Sequence, residues 1–292
     1  MASISASQVK ELREKTGVGM MDAKKALVAA DGDFEKATEI LREKGAAKAA
    51  KKNDKVAANG LARIAVHDND AAITEINSET DFVSTNDTFK DLVDMVTDVI
   101  AIKKPNSMEG AMALPTAKGT INDAIVETTQ ITGEKVSLRR FQVVTKEDDE
   151  VFGAYLHNGG LIGALTVLKG VDASVAKEVA MHVAATNPQF LNRNDVPAER
   201  LAQEKEELTK EALNEGKPEK IVEKMVEGRL NKFLAEICLE DQPFVMDPDQ
   251  TVGQYVAAKG GSITSFVRYE VGEGIEVEQK SFEDEVREQM NG

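Results

Sequence analysis

The chain has 292 residues, 51 acidic and 36 basic, giving a formal net charge of −15. That acidity argues against a general binder of nucleic acid or anionic membrane, because both need a basic footprint, and aromatics at 4% with no Trp leave few stacking platforms for single-stranded RNA. A hydrophobic fraction of 41% suits a folded chain of about two domains, and the single Cys238 excludes an internal disulfide and fits a reducing compartment.

Residues 1–9 lack a basic region followed by an apolar core, and no apolar run approaches the ~20 residues of a membrane helix. A soluble, cytoplasmic protein is expected. Ser5 to Gly45 reads as three short helices. Ser5 and Gln8 form a candidate capping box, Val9 and Leu12 lie one turn apart, and Thr16-Gly17-Val18-Gly19 breaks the pattern. Met20, Ala23 and Leu27 mark the second helix, which ends at Asp31-Gly32. Asp33 can cap the third, whose inner face is Phe34, Ala37 and Leu41, with Ile40 beside it. Ala46 to Ala58, with Lys48, Lys51, Lys52 and Lys55, reads as a solvated helical or flexible connector; contact with phosphate is the less favoured alternative.

Mixed strand and helix follow. Arg63–His67 and Ala72–Ile76 are strand-like around Asp68-Asn69-Asp70, and a helix from Thr88 to Ile102 buries Phe89, Leu92, Val96 and Val99. Lys103 to Gly119 is loop-like, Ile121–Thr129 helical and Val136–Val144 a strand. The hairpin-then-helix order recurs: Val151–Leu156 and Ile162–Leu168 flank His157-Asn158-Gly159-Gly160, where Asn-Gly suits a type I′ turn, and Val175–Thr186 is helical. Two related α+β subdomains are the reading. Ala198 to Arg229 is dense in Glu and Lys and is split by Gly216-Lys217-Pro218. Leu201, Leu208 and Leu213 mark one helix and Ile221, Met225 and Val226 the next, so an antiparallel helical hairpin is expected. Val252–Lys259 reads as a short helix, Ser262–Tyr269 as a strand and Phe282–Met290 as a last helix.

Catalytic patterns are absent. There is no GxxxxGK[ST], no GxGxxG after a strand, no GxSxG and no HExxH. Neither a cofactor nor a bound metal is expected, and an enzyme built on the two subdomains has no pattern behind it. A protein that acts by contact remains. Two features could carry contact. In Thr80-Asp81-Phe82-Val83 an acid and a large ring sit side by side. Read from the residues alone, Phe82 plugs the core and Asp81 caps local backbone; the other reading is an exposed wedge with a carboxylate alongside. In Gly17-Val18-Gly19-Met20-Met21-Asp22-Ala23-Lys24-Lys25-Ala26-Leu27, an ordinary helix start with Met filling gaps is favoured.

Taken together, the run Val9–Asp22, Thr80-Asp81-Phe82-Val83, Met181-His182-Val183-Ala184-Ala185, Asp241-Gln242-Pro243-Phe244-Val245 and Phe266-Val267-Arg268-Tyr269-Glu270 resembles the elongation factor Ts family. Leu161 and Lys135 depart from that pattern, which more often has a basic residue and Asn at these places.

The resemblance implies an α+β fold with residues 1–55 as a UBA-like three-helix domain and basic linker, and 56–149 as a first core subdomain. It makes 150–188 with 238–272 a second subdomain, 189–237 an inserted helical hairpin and 273–292 a C-terminal module. It implies a non-enzymatic guanine-nucleotide exchange factor that binds elongation factor Tu, GDP-bound and nucleotide-free, with no direct contact to nucleic acid or membrane. Thr80, Asp81, Phe82 and Val83 would disturb the partner's Mg²⁺ site. Leu12, Val18, Gly19 and Met20 would touch the same partner domain, His157 another domain of it, and the 198–229 hairpin a second copy of the chain.

Overall fold

The computed structural model describes residues 4–276 apart from 53, 216 and 217. The expected break at Gly216-Lys217 and the expected helix Phe282–Met290 lie outside the described residues, as does most of 273–292. The chain forms two compact units. The first takes the residues up to Leu61, Thr74–Phe141 and those from Glu270 onward; the second takes Ala62–Ile73 and Gln142–Tyr269.

The first unit opens with α1 (Ala6–Thr16), α2 (Met20–Ala29) and α3 (Phe34–Lys51). The Ser5–Gln8 capping box forms in both directions: the Ser5 amide donates to Gln8 Oε1 at 2.9 Å and the Gln8 amide to Ser5 Oγ at 3.2 Å. Gly17, at φ 69°, closes α1 in the left-handed region. Asp33 caps α3 by accepting from the Glu35 and Lys36 amides. The three helices bury Val9, Leu12, Val18, Ala23, Ala26, Leu27, Ala37 and Leu41 together. Ala46 to Ala50 have strong helix propensity, so α3 runs on through what reads in sequence as a connector. Two of its lysines are engaged within the chain, Lys48 with Asp22 at 3.4 Å and Lys52 with Glu79 at 3.2 Å.

Strands β1 (Asn59–His67) and β2 (Asp70–Ser78) follow, then α4 (Asp81–Ser84), α5 (Asp87–Lys103), α6 (Met108–Met112), β3 (Pro115–Thr116), β4 (Gly119–Thr120), α7 (Ile121–Thr132) and β5 (Ser137–Thr145). The sheet order is β1-β2-β5, and β3 pairs with β4. α5 is amphipathic and buries Phe89, Leu92, Val93, Val96 and Ile100. Its buried Thr97 hydroxyl meets that of Thr74 at 2.6 Å, which satisfies two polar groups at once. Behind the sheet, the fully buried Glu75 accepts from Arg139 at 2.9 Å, Arg140 at 2.5 Å and the Gly272 amide at 2.8 Å. Burial works to raise the Glu75 carboxyl, but the Gly272 amide and the Arg139 and Arg140 guanidinium groups prevail and hold it below the ordinary glutamate range.

The second unit holds β6 (Glu150–His157), β7 (Ile162–Lys169), α8 (Ala173–Thr186), α9 (Ala198–Asn214), α10 (Glu219–Ile237), β8 (Pro243–Phe244), β9 (Asp247–Thr251), α11 (Val252–Ala258) and β10 (Ser262–Glu270). Its main sheet runs β10-β7-β6. In both three-stranded sheets, therefore, the first hairpin strand pairs with the second, and the second with a later strand that follows a helix. α8 lies so close to β6 that a Cβ at Gly153 would overlap the Ala176 carbonyl, whose oxygen accepts from Thr166 Oγ1 at 2.9 Å. Gly153→Ala is expected to cost about 1–3 kcal/mol through overpacking, read as a lower urea midpoint.

Two expectations are corrected here. The β6–β7 register pairs His157 with Ile162, so the connection is the four residues 158–161 and not a two-residue type I′ turn. Asn158, Gly159 and Gly160 all have positive φ, and three such residues in succession need a longer loop than Asn-Gly alone. In the helical hairpin, Ala212 and Val222 turn inward with Val226, while Leu213 and Ile221 face out, 50% and 49% exposed. At its base Leu234, Ile237 and the fully buried Cys238 pack with Val196, and burial pushes the Cys238 thiol up.

Candidate functional site

The residues Thr80–Val83 stand where β2 ends and α4 begins. Successive side chains on a helix step about 100° around the axis, so the neighbours Phe82 and Val83 can differ in exposure. Val83 and Ser84 are buried, and Phe82 is 82% exposed, the most exposed large apolar side chain among the described residues. This overturns the core-plug reading of Phe82. Val83 is the buried member of the pair. Asp81 is exposed beside Phe82. Its backbone carbonyl accepts from Ser84 Oγ and Thr85 Oγ1, yet its carboxylate has no hydrogen bond or ion pair among the described residues. The reading of Asp81 as a local cap is corrected too.

The support beneath this pair is polar and well fastened. Thr80 donates its amide to Glu134 Oε2 at 2.9 Å and its hydroxyl to Glu134 Oε1 at 2.6 Å. In the opposite sense, Glu79 Oε1 accepts the Lys135 amide at 2.5 Å and Lys52 Nζ at 3.2 Å. Burial would raise the Glu79 carboxyl, but the Lys135 amide and the Lys52 ammonium hold it below its ordinary range. Asn59 Nδ2 donates to the Glu79 carbonyl at 2.9 Å, and Ser78 Oγ to the Thr80 carbonyl at 2.9 Å. Thr80 is thus a fixed base beneath the pair.

The three-helix module divides its expected contacts. Leu12 and Val18 are buried in its core, packed with Val9 and Leu27. Gly19 and Met20 are exposed. Met21 and Val28 are exposed with them, and with Lys24 and Lys25 they form the outward face of α2. Spacing carried that signal, since these positions interleave with the buried Ala23, Ala26 and Leu27. His157 is exposed at the end of β6, with Nδ1 3.1 Å from the Tyr155 hydroxyl.

A cavity of about 330 Å³ lies among α1, α3 and α7. Its cations already have carboxylate partners: Arg42 with Asp123 at 2.5 Å and Lys118 with Glu127 at 3.5 Å. The Arg42 guanidinium holds the Asp123 carboxyl below its usual range. The cavity is a seam between paired side chains, without the converging unpaired groups an active site uses. Among the described residues no three His, Cys, Asp or Glu side chains converge as a metal site, and no helix is long and apolar enough to cross a membrane.

A family model described as Elongation factor TS matches residues 79–273. The chain belongs to the elongation factor Ts family. It is 64% identical over 290 residues to Elongation factor Ts of Lactiplantibacillus plantarum, covering 99% of each protein. It is 66% identical over 294 residues to that of Levilactobacillus brevis and 62% identical over 291 residues to that of Limosilactobacillus reuteri, each covering both proteins fully. Elongation factor Ts is a translation elongation factor, a nucleotide-exchange factor and not a catalytic enzyme in the usual sense. The match to the elongation factor Ts model starts at Glu79, so it takes in both the exposed Asp81-Phe82 pair and the Glu79 and Glu134 side chains beneath it.

Proposed function

We propose that this chain binds elongation factor Tu in its GDP-bound form and speeds GDP release by pressing Phe82 and Asp81 against the partner's Mg²⁺ and phosphate site. The observation that carries the reading is a large ring, almost fully exposed, next to a carboxylate with no partner among the described residues, on a short helix with a fixed base. An isolated exposed ring of this size is a cost in water that burial in a partner recovers; full burial contributes roughly 1.5–3 kcal/mol. Phe82 would hold partner elements apart, while Asp81 disturbs the polar network around the metal. Weakening the metal removes the main positive charge on the phosphates, so GDP leaves faster.

The device works by linkage. The chain must bind nucleotide-free partner more tightly than GDP-bound partner, and by reciprocity GDP weakens the chain's own grip by the same ratio. The outward face of α2, with Gly19, Met20 and Met21, and the exposed His157 supply further contacts in this reading. In this reading the module at 1–55 and the second subdomain at 150–188 and 238–272 each present one surface. Stopped-flow release of a fluorescent GDP from purified elongation factor Tu tests it: acceleration on adding this chain supports it, and an unchanged rate rejects it.

The helical hairpin is proposed to self-associate through Leu213 and Ile221. Replacing both by serine is expected to shift the sedimentation-equilibrium mass toward that of one chain. An unaltered mass from a monomeric starting protein removes this role.

A further inference from the structure

We infer that Glu134 is a positioning residue for exchange: it sets the angle at which Phe82 leaves the surface, through the two bonds it accepts from Thr80. The inference rests on the proposed insertion of Phe82. Threonine at a helix N-terminus ordinarily turns its hydroxyl onto the helix's own first amides. Here Thr80 makes no such cap. Its hydroxyl and its amide both go to one carboxylate, which lies 54 positions along the chain in the loop between α7 and β5. Two donors held by one rigid carboxylate fix both a position and a direction, as a single bond cannot.

The clasp is reciprocal. Glu79, one residue before Thr80, accepts the amide of Lys135, one residue after Glu134. Each loop therefore places a glutamate on the neighbouring backbone of the other. Lys52 on Glu79, and Lys135 Nζ on the Lys55 carbonyl at 2.9 Å, tie the same clasp to the end of α3. The side chains that would meet a partner, Asp81 and Phe82, take no part in it. The clasp anchors the base of α4 and leaves its tip free, which is what a device for aiming a side chain requires.

The test is a double-mutant cycle in the full chain, read as the maximal rate of fluorescent-GDP release from elongation factor Tu and as the concentration giving half that rate. Glu134→Ala is expected to lower the maximal rate about tenfold, the scale of losing hydrogen bonds to a charged acceptor. In a Phe82→Ala background it should lower it no further, because Glu134 acts through Phe82. Glu134→Gln keeps one acceptor and should fall between. Thr80→Val, which removes only the hydroxyl donor, repeats the test with the smallest disturbance to folding. Unaltered rates in Glu134→Ala and Thr80→Val, or losses that multiply with that of Phe82→Ala, would overturn the inference. A slow Phe82→Ala with a normal Glu134→Ala sinks the clasp alone; a normal Phe82→Ala sinks the parent reading.

Discussion

Phe82→Ala is expected to slow GDP release from elongation factor Tu by roughly tenfold to a hundredfold, with the urea midpoint of the free chain unchanged. The rate effect follows from the loss of about 1.5–3 kcal/mol of burial that is realised only in the complex, at tenfold per 1.4 kcal/mol. The stability effect follows from exposure: a side chain 82% in water contributes little to folding, and such surface changes stay within about 0.5 kcal/mol. The two readouts must separate. A large fall in the urea midpoint would restore the core-plug reading, and an unaffected release rate would remove Phe82 from the mechanism. Val83→Ala should behave in the opposite way, since Val83 is the buried member of the pair.

The second large effect concerns the buried Glu75. Glu75→Ala is expected to destabilise the chain by about 3 kcal/mol, the low end for breaking a buried ion pair. The low end applies because Arg139 and Arg140 keep 27% and 30% of their side-chain surface in water and can be solvated once the carboxylate is gone. The same group governs part of the acid response. Its folded-state carboxyl is held below the ordinary range, so its contribution is fully present above the unfolded glutamate value of about 4.3. It is lost as pH falls through the lower folded value. Urea midpoints across that acid window should decline for the unaltered chain and decline less steeply for Glu75→Gln. Equal slopes would show that Glu75 is not among the groups that set acid stability.

Much of the fold is legible in the residues because its signals are local. The Ser5–Gln8 box, the Asp33 cap and the face Phe89-Leu92-Val96 each need only a few neighbouring residues to be read, and each is in place. The helical hairpin is legible from its composition, but its inward residues are not: Ala212 faces in while Leu213 faces out, because two helices crossing at an angle choose positions by geometry and not by apolarity alone. The Asn158-Gly159 pair correctly signals positive φ, yet Gly160 adds a third such residue and lengthens the loop.

The candidate site was located by its string of residues, but the residues alone favoured the wrong direction for Phe82 and only the resemblance implied the exposed wedge. An adjacent Phe and Val in a segment too short to show a period give no indication of which one is buried. Leu12 and Val18, to which the resemblance gives contact roles, are buried with Val9 and Leu27. The Glu79–Glu134 clasp leaves no trace in the sequence, since its partners are more than fifty positions apart and two ordinary glutamates carry no pattern.

The claim that the Phe82 ring enters elongation factor Tu can be tested with one reporter. The chain contains no Trp, so in Phe82→Trp the indole emission reports that position alone once the spectrum of the complex with the unaltered chain is subtracted. A blue shift and loss of acrylamide quenching when elongation factor Tu·GDP is added is the predicted result. A complex that forms with the Trp spectrum and quenching unchanged would contradict the account.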